Sequence, residues 1–250
     1  MQVFFTLTRR ELATYFVSIT GYVIIAAATF LVGENFVVIL RNLGGMPTPM
    51  PVTELFFSTQ FFWVIVVLAA PVITMRTFAL EKYSGTYETL MTTPVSDLQV
   101  VAAKFTAGWL FYLIMWLPMI ACLYIVQYFA RQSGALEPGM MTGMLLGNAL
   151  VGALFVALGS FASALTNSQM VAAMITLVFG SSLMSLAYVA EQVTVTNTWQ
   201  SQLLGQFALF SQMQDFARGV IDTRSVVFFT SLAFLFLFLT LRVVESRRWK

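Results

Sequence analysis

The sequence contains no histidine and a single cysteine, Cys122, and only 10% of its 250 residues are charged. Without histidine there can be no Ser-His-Asp triad, no H-E-x-x-H zinc helix and no histidine-ligated haem. One cysteine excludes an intramolecular disulfide and any multi-cysteine metal site. Lysine is scarce as well. Lys82 is followed by Tyr83, Lys104 by Phe105, and Lys250 closes the sequence, so none sits in the Gly-x-x-x-x-Gly-Lys-Ser/Thr loop that cradles nucleotide phosphates. If ATP drives this protein, another polypeptide must bring it. A formal net charge of +2, with no Lys/Arg stripe interleaved with aromatics, gives no sign of nucleic acid binding. What is present is apolar: 59% hydrophobic residues and a mean hydropathy of +0.84. A soluble domain carries about 25% charged residues, so this composition reads as a polytopic membrane protein.

A bilayer core about 30 Å thick is crossed by about 20 predominantly apolar helical residues. Six runs have that length: residues 16–38, 56–75, 105–129, 140–165, 170–190 and 225–243. They predict an all-α membrane protein with six transmembrane helices, read as one transmembrane domain over residues 1–250. Arg9 and Arg10 precede the first run, which exceeds the roughly 7–15 residues of a signal-peptide core and is expected to stay as a span. Pro71 and Pro118 are expected to bend spans two and three. With six spans the termini share a side. That side carries Arg9, Arg10, Arg76, Lys82, Lys104, Arg242, Arg247, Arg248 and Lys250, and the other carries Arg41, Arg131, Arg218 and Arg224. Nine against four predicts both termini and the segment after span two in the cytoplasm. The sequence shows no internal repeat, and no linker divides it.

Between spans two and three lies RTFALEKYSGTYETLMTTPVSD, residues 76–97. Leu80, Tyr83, Tyr87, Leu90 and Met91 recur at helical spacing, and Glu81, Lys82, Ser84 and Glu88 fall largely off that face. The pattern predicts a short amphipathic helix stopped at Pro94. Ser96 with Gln99 forms a capping box and Val95 with Val100 a hydrophobic staple, so a second helix is expected from Asp97 into span three. A helix lying on lipid usually presents a Lys/Arg-rich polar face. This one sets Glu81 and Glu88 against Lys82, which suits docking to protein, although a solvated loop helix would read the same way.

Charge inside a membrane marks function by default. Glu34, in the outer part of span one, is the one candidate, either as an interfacial residue beside Asn35 or on a substrate path. A second carboxylate for a catalytic dyad is not expected in the spans. Gly143 and Gly147, then Ala149, Ala153 and Ala157, form small-xxx-small ladders that permit close helix packing. Ser181, Ser182 and Ser185, with Gly180, lie at mid-depth of span five. They either bond neighbouring backbone or, with Gln60 of span two, line a path or subunit interface. Between residues 191 and 223, Trp199, Leu203, Phe207, Phe210, Met213 and Val220 recur near helical spacing, interrupted by glutamines. They predict a helix lying in, or re-entering from, the outer interface. Asp222 is placed to cap the last span, with Ser225 three residues on.

Four stretches together resemble the permeases of ABC-2 type transporters, most closely the gliding-motility-associated, GldF-like group, with nitrous-oxide-reductase maturation permeases as relatives. They are RRELATYFVSITGYV (9–23), PVITMRTFALEKYSGTYETLMTTPVSDLQVVAAKF (71–105), LFSQMQDFARGVID (209–222) and LRVVESRRWK (241–250). The resemblance implies a multi-pass protein of the bacterial cytoplasmic membrane with N-terminal and coupling helices on the cytoplasmic side. The coupling helix would sit in a groove of a separate ABC ATPase subunit. Glu81 and Gly85 match the family's Glu-x-x-x-Gly-Thr pattern, and Thr86, Glu88, Thr92, Thr93 and Pro94 would form the tip. Arg9, Arg10 and Glu11 would pack beside it at the same contact. The chain itself would bind no cofactor and catalyse nothing, and ATP and magnesium would belong to the partner. A second permease copy or a related permease, and a membrane-anchored extracytoplasmic protein, are the further partners implied.

Overall fold

The computed structural model describes residues 2–43, 52–85, 95–130, 138–192 and 204–246. Among the described residues the secondary structure is helical without strands, and six segments are long and apolar enough to cross a bilayer. The helices are α1 (Gln2–Val17), α2 (Ile19–Leu43), α3 (Val52–Ser58), α4 (Gln60–Thr74), α5 (Ala79–Ser84), α6 (Asp97–Met115), α7 (Leu117–Ala130), α8 (Pro138–Leu165), α9 (Gln169–Gln192), α10 (Leu209–Ala217) and α11 (Thr223–Ser246).

Six spans match the expectation, but three of them break where hydropathy runs on. The first crossing is Ile19–Arg41 rather than 16–38. Phe16 and Val17 belong to α1, and the chain turns at Ser18, whose hydroxyl lies 2.5 Å from that of Thr20. Gly21 permits the elbow, because a Cβ there would meet the Tyr15 carbonyl oxygen at 1.9 Å. The second crossing starts at Gln60 rather than 56. Phe56 lies in the separate helix α3, and the Thr59 hydroxyl donates to its carbonyl at 2.7 Å. The third crossing is interrupted at Trp116, two residues before Pro118. Proline has no N–H to give the preceding turn and its ring crowds that turn's carbonyl, as the sequence anticipated.

α8 and α4 form the centre: 67% and 61% of their spans' most apolar windows are buried, against 17–39% in the other four. α8 packs on α11, α9, α10, α4 and α6. Its small residues serve ordinary bundle packing. A Cβ on Gly143 would meet the Phe216 carbonyl oxygen at 2.4 Å, one on Gly152 the Tyr112 ring at 2.2 Å, and one on Gly159 the Thr74 hydroxyl at 2.1 Å. Tyr112, held against Gly152, donates its hydroxyl to Asn148 Oδ1 at 2.9 Å.

On the side opposite α1, α3 and α10 cover the bundle end. Thr53 donates to the Ala217 carbonyl at 2.9 Å, and buried Glu54 pairs with Arg218. Glu54 is a carboxylate the sequence reading left outside the spans. Its hydrogen bond raises the Arg218 guanidinium above its usual value. The helix expected here is shorter than its apolar pattern. Leu209, Met213 and Phe216 are buried, but α10 ends at Gly219, φ 82°, with Val220 N–H bonding Asp215 O and Gly219 N–H bonding Phe216 O. This pair of bonds is a Schellman stop, and it needs a left-handed residue. Val220 is therefore outside the helix and exposed, while Trp199 and Leu203 lie outside the described residues. Asp222 caps α11 as expected, accepting from the Arg224 N–H at 2.9 Å.

Candidate functional site

The segment after span two builds its site from α5, α1 and the start of α6. Ser96 caps α6 by accepting from the Gln99 N–H at 3.4 Å, as the capping box predicts. α5 begins where Ser163 Oγ of α8 accepts the N–H groups of Phe78 and Ala79, both at 3.1 Å. It ends at Gly85, whose φ of 73° only glycine adopts readily. Tyr87, Leu90 and Met91, with the tip residues Thr86, Glu88, Thr92, Thr93 and Pro94, lie outside the described residues.

α5 is turned inside out relative to a solvated helix. Its charged residues face the bundle: Glu81 binds Lys104, and the Lys82 ammonium donates to the Ala164 carbonyl at the end of α8. Its large apolar residues face away, with Leu80 39% and Tyr83 79% exposed. In the sequence Tyr83 is one member of an apolar face and nothing sets it apart. Only the packed structure shows that this face has no partner among the described residues.

Glu81 joins a four-membered charge cluster. The Lys104 side chain, 2% exposed, lies 2.7 Å from Glu81 and 3.2 Å from Glu11, with its ammonium 5.5 Å from the Phe78 ring centroid. Arg10 lies 2.9 Å from Glu11 and 3.9 Å from Glu81, and the hydrogen bond to Glu11 raises its guanidinium above the usual value. The structure thus brings Arg10, Glu11 and Glu81 together around Lys104, which the sequence marks only as a loop charge. Arg9 is exposed on α1. The cluster fixes α1 across α5 and α6. Tyr15 adds a hydroxyl donated to the Ile73 carbonyl at 3.0 Å and a ring stacked on Phe111 at 4.7 Å.

The polar span residues fall into two sets. Gln60 and Ser181 line one groove between α4 and α9, about 430 Å³ in volume, with Trp63, Leu177 and Phe210. Ser182 and Ser185 lie on the exposed face of α9 and donate to Phe179 O and Ser181 O of their own helix. Glu34 is exposed on α2, whereas Asn35 beside it is buried with neither amide atom hydrogen-bonded.

A search of curated proteins finds no match. A family model described as ABC-2 family transporter protein matches residues 35–241, which include α3 to α10, the end of the first span and most of the last. Members are membrane components that do not themselves catalyse, and an ABC ATPase is their general partner. The chain belongs to the ABC-2 transporter family, as a multi-pass permease component.

Proposed function

We propose that this permease couples ATP hydrolysis by a separate ATPase subunit to export, from a bacterial cytoplasmic membrane with both termini in the cytoplasm. The observation that carries the proposal is the inverted α5. A helix that spends its charges inward and presents Leu80 and Tyr83 outward suits an apolar groove on another subunit. Gly85, Thr86, Glu88, Thr92, Thr93 and Pro94 would extend the same docking element, with Arg9 on α1 at its edge. The salt-bridge cluster then supplies the transmission. Closure of an ATPase pair would displace α5, and Lys104, Glu81, Glu11 and Arg10 would oblige α1 and α6 to follow as one body. A second copy or a related permease would complete the pathway, with Gln60, Ser181, Ser182 and Ser185 at or near it.

A variant at Glu81 perturbs two things at once, because Glu81 also holds Lys104. Glu81→Arg is expected to abolish ATP-dependent function while lowering stability too. Tyr83→Asp separates them. In the complex co-purified with its ATPase, Tyr83→Asp is expected to cut coupled ATP hydrolysis about tenfold or more with the thermal midpoint of the isolated permease unchanged. Full coupling in that variant would remove α5 as the docking element.

A second reading keeps the ATPase and drops the cargo: the permease passes ATP-driven motion to an extracytoplasmic protein, as gliding or maturation machinery does. The apolar lining of the Gln60 groove favours this, or an amphiphilic cargo, over an ionic one. Transport of solute or lipid by the reconstituted complex separates the two readings.

A further inference from the structure

Beside the charge cluster lies a cavity of about 490 Å³ between the α1–α2 elbow and the end of α4. It is lined on one side by Arg10, Glu11, Glu81 and Lys104, which are committed to one another. On the other side it is lined by Arg76, Ser18 and Thr20. Arg76 Nη1 donates to Ser18 Oγ at 3.1 Å and to Thr20 Oγ1 at 2.8 Å, while its buried Nε has no acceptor. No carboxylate among the described residues pairs with it. The cavity therefore holds three cations against two carboxylates, and the excess charge is on a guanidinium with an unused donor.

We infer that Arg76 holds the phosphate of an anionic phospholipid from the leaflet on the α1 side. A guanidinium whose charge no carboxylate balances attracts a phosphate, and the bonded Ser18–Thr20 hydroxyl pair beside it has one proton left to donate. The depth fits a lipid. Arg76 comes two residues after α4 ends at Thr74, as a basic side chain placed to meet headgroups does. One turn deeper the cavity wall changes to Val72 of α4 and Ile24 of α2, the surface an acyl chain needs, and Val72 is exposed toward the bilayer. A soluble phosphate would satisfy Arg76 but leave that wall unused. The site stands whether or not an ATPase docks on α5: α5 gives the cavity Leu80 and Glu81, but Arg76, Ser18, Thr20, Val72 and Ile24, which the lipid would meet, lie on other segments.

The test is thermal unfolding of the full-length protein in mild detergent, titrated with phosphatidylglycerol, phosphatidylcholine, glycerol 3-phosphate or inorganic phosphate. Phosphatidylglycerol is expected to raise the midpoint in a saturable, salt-sensitive way, and phosphatidylcholine to do so much less. Arg76→Gln is expected to weaken that response about tenfold or more. Val72→Trp blocks the acyl wall without touching the charge. It is expected to weaken the phosphatidylglycerol response as well, which keeps the inference testable if Arg76→Gln fails to fold. Equal responses to both lipids, or unchanged responses in the variants, would overturn the site. An equal response to glycerol 3-phosphate or inorganic phosphate would overturn the lipid assignment in favour of a soluble phosphate. Loss of phosphatidylglycerol binding only when the ATPase is present would mean that Arg76 serves a carboxylate of that subunit instead.

Discussion

Lys104 is the residue on which three helices depend. Its ammonium is buried between Glu81 and Glu11, 23 and 93 positions away in the sequence. Removing one partner of a buried ion pair leaves uncompensated charge and costs about 3–5 kcal/mol, whereas replacing the whole group by neutral residues costs far less. Arg10 remains to screen the carboxylates, and both keep some solvent contact, so Lys104→Met is expected near the lower end, about 3 kcal/mol. The expected observation is a marked drop in thermal midpoint in detergent, partly reversed by adding Glu11→Gln and Glu81→Gln to the same chain. A midpoint unmoved by Lys104→Met would mean the cluster contributes no stability. No local pattern could have revealed this role. The sequence shows a lysine one residue before an apolar run, and only the folding of α1 across α6 gives it two carboxylates.

At the scale of the helix, close approach decides the architecture. Gly143 lies where α10 crosses α8, and an added Cβ would stand 2.4 Å from the Phe216 carbonyl oxygen, a backbone atom that cannot rotate away. Gly143→Ala is expected to cost about 1–3 kcal/mol and to loosen α10. Limited proteolysis of residues 204–222 would detect the change, and protection equal to that of the unsubstituted protein would rule out the tight crossing. The small-residue ladder, the six spans, the Ser96 cap and the Asp222 cap were all legible in the sequence. Each is a repeated or local signal: twenty apolar residues, a four-residue spacing, a hydroxyl or carboxylate at a helix start. The breaks were less legible. Ser18, Thr59 and Trp116 each interrupt an apolar run at a single residue, which a window of twenty averages away. Gly219 ends a helix whose apolar spacing continues past it to Val220. The candidate docking helix was legible as an amphipathic segment but not as an inverted one, because its outward face is defined by what Glu81 and Lys82 bind elsewhere.

For the whole molecule, the question is which end faces the ATPase. Among the described residues, Arg9, Arg10, Arg76, Lys82, Lys104 and Arg242 lie at the α1 end, and Arg41, Arg218 and Arg224 at the other. This is the partition from which the charge count put the α1 end in the cytoplasm. The single cysteine makes a direct test clean: Cys122→Ala gives a background with no thiol. In that background Val220→Cys is 56% and Tyr83→Cys 79% exposed at opposite ends, judged by the residues they replace. A membrane-impermeant maleimide is expected to label Val220→Cys on intact cells and Tyr83→Cys only after permeabilisation. The opposite pattern would put α5 where no ATP-binding subunit can reach it, and the coupling proposal would fall with the orientation. Labelling of both from one side would contradict the six-span count itself. With the expected pattern in hand, the same reagent tests docking. Co-expression of the ATPase should slow the labelling of Tyr83→Cys in permeabilised cells and leave Val220→Cys untouched, because only the α5 face is proposed to lie under another subunit.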